Sequence, residues 1–183
     1  MLSKEIANQG ELNDIIRLRG CYELQLRGPN GEDIGEPRVV IENTVVTAGR
    51  SYVLSRLVSA GPQTDVMNSI AVGTSTTAPA TGDTLLGSEA LRISISTFVT
   101  SGLTNNPPSW QAQATFATNQ ANTTLGEAGL FNASGANVQT MLSHVTFATI
   151  KSWWLAAVRR MRKFLLIDSD GANPNEGQAL CFA

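Results

Sequence analysis

Residues 110–116 read WQAQATF, and the strict alternation of apolar and polar side chains in this stretch decides the fold class. A period of two residues puts the apolar side chains on one face of a β-strand and the polar ones on the other. Residues 91–96 alternate in the same way, and residues 141–150 place Val145 and Phe147 on one face with His144 and Thr146 on the other. Stretches rich in turn-forming residues separate these runs. The pattern predicts a mainly β protein, an antiparallel β-sandwich-like domain.

The first 59 residues are predicted to add a β-hairpin and one short helix. Residues 21–27 alternate like a half-buried strand, GPNG at residues 28–31 is a tight-turn sequence, and residues 38–46 supply a β-branched return strand. Apolar side chains at helical spacing then predict a short amphipathic helix near residues 49–59. We also predict structural turns at three glycines, Gly49, Gly73 and Gly129.

Composition fits one domain that contacts other proteins over a broad surface. The chain has 183 residues, of which 42% are hydrophobic, so it can build one ordinary core. Only 15% of the residues are charged, against roughly 25% in a typical soluble domain. A surface of neutral hydrogen-bonding groups suits contacts with identical neighbours, because little charge is desolvated on association. A low-charge monomer is the other interpretation of the same composition.

Charge and cysteine usage argue against several classes of function. The net charge is −2 and the chain has no basic stripe of a DNA-binding protein, so no nucleic-acid partner is predicted. No stretch of about 18 uncharged apolar residues is present to span a membrane, and the N-terminus lacks the apolar run of a signal peptide. Cys21 and Cys181 are too few for a disulfide framework and too far apart in sequence for a metal site. We therefore expect reduced thiols and a protein folded in a cytoplasm.

The charge pattern changes after residue 150, and we predict a domain of residues 1–150 followed by a C-terminal extension of residues 151–183. Residues 151–167 have the apolar spacing either of a helix or of a helical turn that leads into a final strand at residues 163–167. The tail from residue 168 is predicted to be a loop. Its residues 168–176 offer oxygen ligands of the type that calcium prefers, but the glycine is misplaced for a calcium loop, so no metal site is predicted.

The sharpest local feature of the extension is a pair of tryptophans followed by four cations. One interpretation is a docking segment, in which the aromatic side chains act as anchors and the cations contact an acidic neighbour. The other is that the aromatic side chains pack on the chain's own core and the cations are solvated. Binding at a membrane surface is a third interpretation, which we do not adopt. The candidate docking residues are Trp153, Trp154, Arg159, Arg160, Arg162 and Lys163.

No catalytic residue and no cofactor are predicted. His144 is the only histidine, and the adjacent Ser143 points to the opposite face of the strand, which argues against a Ser–His pair. We expect His144 at an ordinary half-exposed strand position. The sequence Glu127-Ala128-Gly129 allows backbones to approach closely and is expected to bury one carboxylate against backbone N–H groups. An enzyme would require a pocket that places Glu127 or His144 beside a second titratable group with a strongly shifted pKa.

Four blocks of sequence also stand in order along the chain: VVTAGRSY at residues 45–52, IAVGTSTTAP at 70–79, LGEAGLFN at 125–132 and TMLSHVTFA at 140–148. Together they resemble a family of small tailed-bacteriophage virion proteins, described as tail-fibre, appendage or minor structural proteins. The resemblance covers residues 20–150 and ends there. It implies no catalytic residues. The virion localisation that it implies would follow synthesis in the cytoplasm of a bacterial host.

We therefore expect a virion structural protein that acts by self-assembly and docking in the tail, neck or fibre region, with copies of itself and other virion proteins as partners. A capsid decoration protein is the alternative within this class. A receptor-binding or glycan-binding module is the alternative from another class, because Trp110 with Asn105, Asn106 and Gln111 would suit a shallow sugar platform.

Overall fold

The structure is a computed structural model, and it describes residues 17–27, 32, 39–57, 65–104, 108–117, 120–121, 123–132, 139–150 and 158–168. For residues 17, 26–27, 39, 57, 149–150 and 158–168, the description covers the backbone alone. The predicted turn at residues 28–31 lies outside these ranges. No helix in the described part of the chain is long and apolar enough to cross a membrane.

The described chain is made of β-strands with one α-helix and one 3-10 turn. Helix α1 spans Thr47–Leu57, and the 3-10 turn spans Ser101–Thr104. The strands are β1 (Arg17–Arg27), β2 (Val39–Glu42), β3 (Thr44–Val45), β4 (Ser69–Gly73), β5 (Glu89–Ser94), β6 (Thr97–Val99), β7 (Ser109–Phe116), β8 (Leu125–Phe131), β9 (Met141–Ile150) and β10 (Val158–Asp168).

The strands form two five-stranded sheets whose hydrogen-bonded neighbours all run antiparallel. Sheet 1 has the order β2-β1-β10-β7-β6, and sheet 2 has the order β3-β9-β8-β4-β5. These sheets confirm the predicted mainly β, antiparallel class with one short helix among the described residues. The strands predicted from alternation at residues 91–96, 110–116 and 141–150 appear as β5, β7 and β9.

The two sheets pack face to face around one apolar core. Tyr22 and Phe116 contribute from sheet 1, and Ile70, Val72 and Leu130 contribute from sheet 2, all of them fully or almost fully buried. These side chains lie on the inward-facing positions of strands with a two-residue period, so the alternation in the sequence is what builds this core.

One hydrogen bond crosses the core between the sheets. The Tyr22 hydroxyl lies 3.0 Å from the Ser143 hydroxyl oxygen. Burial raises the pKa of the Tyr22 hydroxyl, and the hydrogen bond with Ser143 opposes that rise only in part. This hydrogen bond therefore offsets the free-energy cost of burying the Tyr22 hydroxyl.

The C-terminal segment supplies a strand to sheet 1. Strand β10 lies between β1 and β7 and pairs along its length with β1, from Arg17 opposite Asp168 to Arg27 opposite Val158. The predicted extension of residues 151–183 therefore contributes a strand to the same sheet as β1 and β7. The strand also begins at Val158, earlier than the predicted start at residue 163, and residues 158–167 do not form the alternative helix. Pairing with two distant strands decides the conformation where local spacing was ambiguous.

The N-terminal hairpin is present, with its return segment divided between the sheets. Strand β2 pairs with β1 in sheet 1, whereas β3 pairs with β9 in sheet 2. The chain crosses between the sheets at Asn43, whose N–H donates to the carbonyl oxygen of Gly20 at 3.0 Å. Helix α1 then begins at Thr47, two residues before the predicted start.

Gly49 lies in the first turn of α1, where a structural turn was predicted. A Cβ atom at Gly49 would come within 2.3 Å of the carbonyl oxygen of Leu142 in β9. The glycine therefore lets the helix lie directly on sheet 2.

The oxidation state of Cys21 differs from the one that we predicted. Cys21 is fully buried in β1 and is disulfide-bonded, whereas we expected a reduced thiol. The chain's other cysteine, Cys181, lies outside the described residues.

Candidate functional site

The outer face of sheet 2 is covered by the loop of residues 74–88, here called the covering loop, which connects β4 to β5. Leu86 from this loop is buried in a small apolar cluster with Val46, Ala71, Phe131 and Met141. The Thr47 N–H at the start of α1 donates to the carbonyl oxygen of Thr81 at 2.7 Å. Sheet 2 is therefore packed on both faces, which explains why every residue of β4 and β8 is buried.

A carboxylate lies beneath the covering loop and binds its backbone. The Glu127 side chain is fully buried, and Oε1 accepts hydrogen bonds from the backbone N–H of Ser88 at 2.7 Å and of Ser75 at 3.3 Å. Oε2 accepts from the N–H of Gly87 at 2.9 Å. Bonds from N–H groups to an ionised carboxylate are stronger than neutral ones. They confirm the prediction that Glu127 is buried against backbone N–H groups.

Gly73 makes room for this carboxylate, and Gly129 makes room for the packing of Phe131 and Leu86. A Cβ atom at Gly73 would lie 2.3 Å from Oε1 of Glu127. A Cβ atom at Gly129 would lie 2.8 Å from the Phe131 ring and 3.1 Å from Leu86. Gly73 ends β4, where a turn was predicted, but Gly129 lies inside β8, and the requirement there is a close approach of the covering loop.

His144 bridges Glu127 to a second carboxylate. Nε2 lies 3.0 Å from Oε2 of Glu127, and Nδ1 lies 2.7 Å from Oδ2 of Asp83 in the covering loop. Each ring nitrogen of His144 is therefore within hydrogen-bond distance of one carboxylate oxygen. His144 is only 4% exposed, which corrects the predicted half-exposed position. We call Asp83, Glu127 and His144 the carboxylate–histidine cluster.

Asp83 is the member of the cluster nearest to solvent. Partial burial acts to raise the pKa of its carboxyl, but the hydrogen bond and the charge of His144, together with the hydrogen bond from the Ala80 N–H, hold that pKa below its ordinary value of 3.8. The Ala80 N–H donates to Oδ2 at 2.8 Å. The ionised carboxylate is therefore the form that fastens the covering loop to His144.

The cluster is arranged to hold a loop, and no ring nitrogen is left unoccupied to accept a proton from a substrate. A general base needs a free acceptor atom within hydrogen-bond reach of its substrate. Ser143 bonds with Tyr22 on the opposite face of β9, so it forms no nucleophile–base pair with His144. Among the described residues, no group of His, Cys, Asp and Glu side chains is arranged to hold a metal ion.

An apolar groove lies at one end of the sandwich, away from the cluster. It has a volume of about 320 Å³. Val66, Phe98 and Leu103 form its rim and are 63%, 47% and 55% exposed. Trp110 lies deeper, packed against the main core, with its ring 6.2 Å from that of Phe98. The groove is also lined by Leu18, Tyr52, Val53, Met67, Thr100 and Leu142.

The predicted docking residues are only partly within the described chain. Trp153 and Trp154 lie outside it. Arg159, Arg160, Arg162 and Lys163 lie in β10, with Arg162 in register with Glu23 on one side and Gln113 on the other. Their backbone is paired on both sides within sheet 1. The docking role of these six residues stays a prediction.

The residues of the predicted sugar platform are only partly within the described chain. Asn105 and Asn106 lie outside the described residues, and Trp110 lines the apolar groove beside Phe98. Sequence reasoning missed Asp83, whose position beside His144 is fixed across 61 residues of chain. It also missed β6 and the groove rim, for which the apolar Phe98 and Leu103 in a turn-rich stretch were the available signal.

Comparisons with known proteins add no relative. No family model, no curated protein and no solved structure matches the chain. The resemblance to phage virion proteins therefore rests on the four sequence blocks alone, and function has to be inferred from the geometry of the described residues.

Proposed function

We propose that this chain is a structural protein of a tailed-bacteriophage virion, without catalytic activity, that assembles with copies of itself and docks to other virion proteins in the tail, neck or fibre region. The observation that carries the proposal is the apolar groove with its exposed rim. The four sequence blocks support the virion context.

The exposed rim supports a protein–protein contact. Val66, Phe98 and Leu103 are large apolar side chains that stand together on one end of the sandwich. Burial of the exposed part of such a side chain favours association, by less than the roughly 1.5–3 kcal/mol that full burial of a fully exposed one would give. Three of them, with Trp110 beneath, form the kind of apolar centre that interfaces are built around. Grouped apolar residues on a surface mark interaction sites more often than isolated ones.

Charge supports the same conclusion. The sequence has no charged residue between Arg92 and Glu127, a segment that supplies Phe98, Leu103 and Trp110 to the groove. A neutral surface can meet another copy of itself without like-charge repulsion and without desolvating ions. Self-assembly is therefore compatible with the chemistry of the groove.

The groove fits a protein partner better than a sugar. Sugars present many hydroxyl groups, and a site for them needs several hydrogen-bonding side chains. In the groove, nearly all of the lining side chains are apolar, with hydroxyls only on Thr100 and Tyr52, and the Tyr52 hydroxyl already donates to the Asp65 carbonyl oxygen. A capsid decoration protein would use the same kind of apolar contact and remains the alternative position in the particle.

The test is the mass of the assembly, measured by light scattering and negative-stain electron microscopy on the full chain. We expect symmetric oligomers of the wild type and a lower mass for the rim variant V66D/L103D. The control L54D/L85D changes two apolar residues that are 60% and 53% exposed but do not line the groove, and it should keep the wild-type mass. Equal masses for both variants and the wild type would contradict assembly through the groove.

A further inference from the structure

Strand β6 is the outermost strand of sheet 1. It pairs with β7 on one side, with Thr97 opposite Gln113 and Val99 opposite Gln111, and none of the described strands pairs with its other side. All three of its residues are exposed. One edge of its backbone is therefore available for a further strand, and Phe98 from the same strand forms part of the groove rim.

The β6 edge lacks the charged side chains that two of the other edge strands carry. Edge strands are usually kept from pairing with other chains by charged side chains, Pro, bulges or very short length. Glu42 is exposed on β2, and Glu89 and Arg92 lie on β5, whereas β3 and β6 are both short, with two and three residues. Strand β6 and the 3-10 turn after it have no charged residue and no proline. A neutral edge of this kind can add a strand, and because β6 is short the added strand needs further contacts from the groove rim.

We propose that β6 pairs antiparallel with β6 of a second copy, so that sheet 1 continues across a two-fold axis into the second subunit. This inference rests on the proposed self-assembly and names its partner. A closed two-fold interface brings the same patch of both subunits together, so the patch must tolerate itself. The neutral β6 edge meets that condition, whereas an edge carrying Glu42 would place like charges near each other.

The shortest symmetric pairing puts the axis at Phe98. Thr97 of one copy then lies opposite Val99 of the second copy, and the reverse pair follows by symmetry. Strand pairing alone over three residues supplies few hydrogen bonds. The adjoining rim side chains Phe98 and Leu103 add apolar burial at the same edge. The groove and the β6 edge are thus two parts of one continuous surface.

Charge placement tests this register. The variant T97K/V99K puts Lys opposite Lys in both symmetric pairs, and we expect the dimer Kd to rise by about tenfold to thirtyfold because like charges directly opposite in a sheet repel. The variant T97K/V99E puts Lys opposite Glu in both pairs, and its Kd should stay within about threefold of wild type. Sedimentation equilibrium on the full chain measures both values. L54K/L85K, which adds the same charge elsewhere, should leave the Kd unchanged.

Several results would overturn the β6 pairing. One is a T97K/V99K variant with the wild-type Kd, and another is a T97K/V99E variant as weak as T97K/V99K. A wild type that is monomeric at every concentration would remove it together with self-assembly. If neither β6 variant changes the Kd while V66D/L103D does, the β6 pairing fails and the proposed function stands.

A second measurement covers the case of a variant that fails to fold. Phe98→Cys lies on the proposed axis, where the two copies bring the same residue opposite itself. Mild oxidation should cross-link this variant into covalent dimers, and Leu85→Cys, at a similarly exposed position, should give none. Equal cross-linking of the two variants would overturn the pairing.

Discussion

The outer face of sheet 2 is covered within the chain, whereas the edge strand β6 of sheet 1 is exposed. On sheet 2, the covering loop seals the face, and the carboxylate–histidine cluster binds the loop with charged hydrogen bonds. On sheet 1, the β6 edge and the groove rim leave Phe98, Val99 and Leu103 exposed. One region completes its contacts within the chain. The other leaves apolar side chains in contact with solvent, and the self-assembly that we propose would bury them.

The largest effect is expected from removing the buried carboxylate of Glu127. Glu127→Ala would leave the N–H groups of Ser75, Gly87 and Ser88 without an acceptor and one ring nitrogen of His144 without its partner. Breaking a buried ion pair by removing one partner lowers the free energy of unfolding by about 3–5 kcal/mol. Urea denaturation measures the change.

The matched control is Glu42→Gln, which alters an exposed carboxylate on β2. Its effect should stay within about 0.5 kcal/mol. A loss below about 1 kcal/mol for Glu127→Ala would show that the cluster does not hold the covering loop.

A smaller effect is expected from filling the space beside Glu127. Gly73→Ala would place a methyl group 2.3 Å from Oε1 of Glu127 and 2.4 Å from the carbonyl oxygen of Ser88. Overpacking of this kind costs about 1–3 kcal/mol in unfolding free energy. Gly82→Ala lies in the same covering loop with no atom within 4 Å of the added methyl group, and thermal unfolding should find it near neutral. Equal losses for the two variants would refute the close approach.

The smallest effect is a dependence of the covering loop on acid. The folded-state pKa of Asp83 lies below its ordinary value of 3.8, so its contribution to stability is present above that pH and is lost as the pH falls through the folded-state pKa. The protection factors of the Gly87 and Ser88 amides against hydrogen exchange should therefore fall below about pH 4. In Asp83→Asn the part of this fall that is due to Asp83 should disappear. An unchanged acid profile in that variant would show that Asp83 does not hold the covering loop.

Local patterns in the sequence predicted the parts of the fold that depend on local chemistry. Alternation identified β7 and β9, and the glycines around Glu127 signalled a close approach that buries a carboxylate. The burial of His144 could not be predicted, because strand period gives a face of the sheet and not what covers it. Asp83 lies beside His144 because of the conformation of the covering loop, which local sequence patterns do not predict.

Strands β10 and β6 were hard to predict from the sequence for a different reason. Strand β10 has a spacing that fits a helix as well as a strand, and its pairing with β1 and β7 decides between them. Strand β6 has three residues, too few for a period to be recognised. Its exposure depends on where sheet 1 ends, which is a property of the whole topology.

Hydrogen exchange of the full chain, followed over a range of protein concentrations, tests the central contrast most directly. Amides of the covering loop that bind Glu127, at Ser75, Gly87 and Ser88, should be protected equally at every concentration. The β6 amides that point away from β7, which alternate along Thr97–Val99, should gain protection as the concentration rises and lose it on dilution. Concentration-independent exchange at β6 would contradict assembly through this edge, and concentration-dependent exchange in the covering loop would contradict its role as a face sealed within the chain.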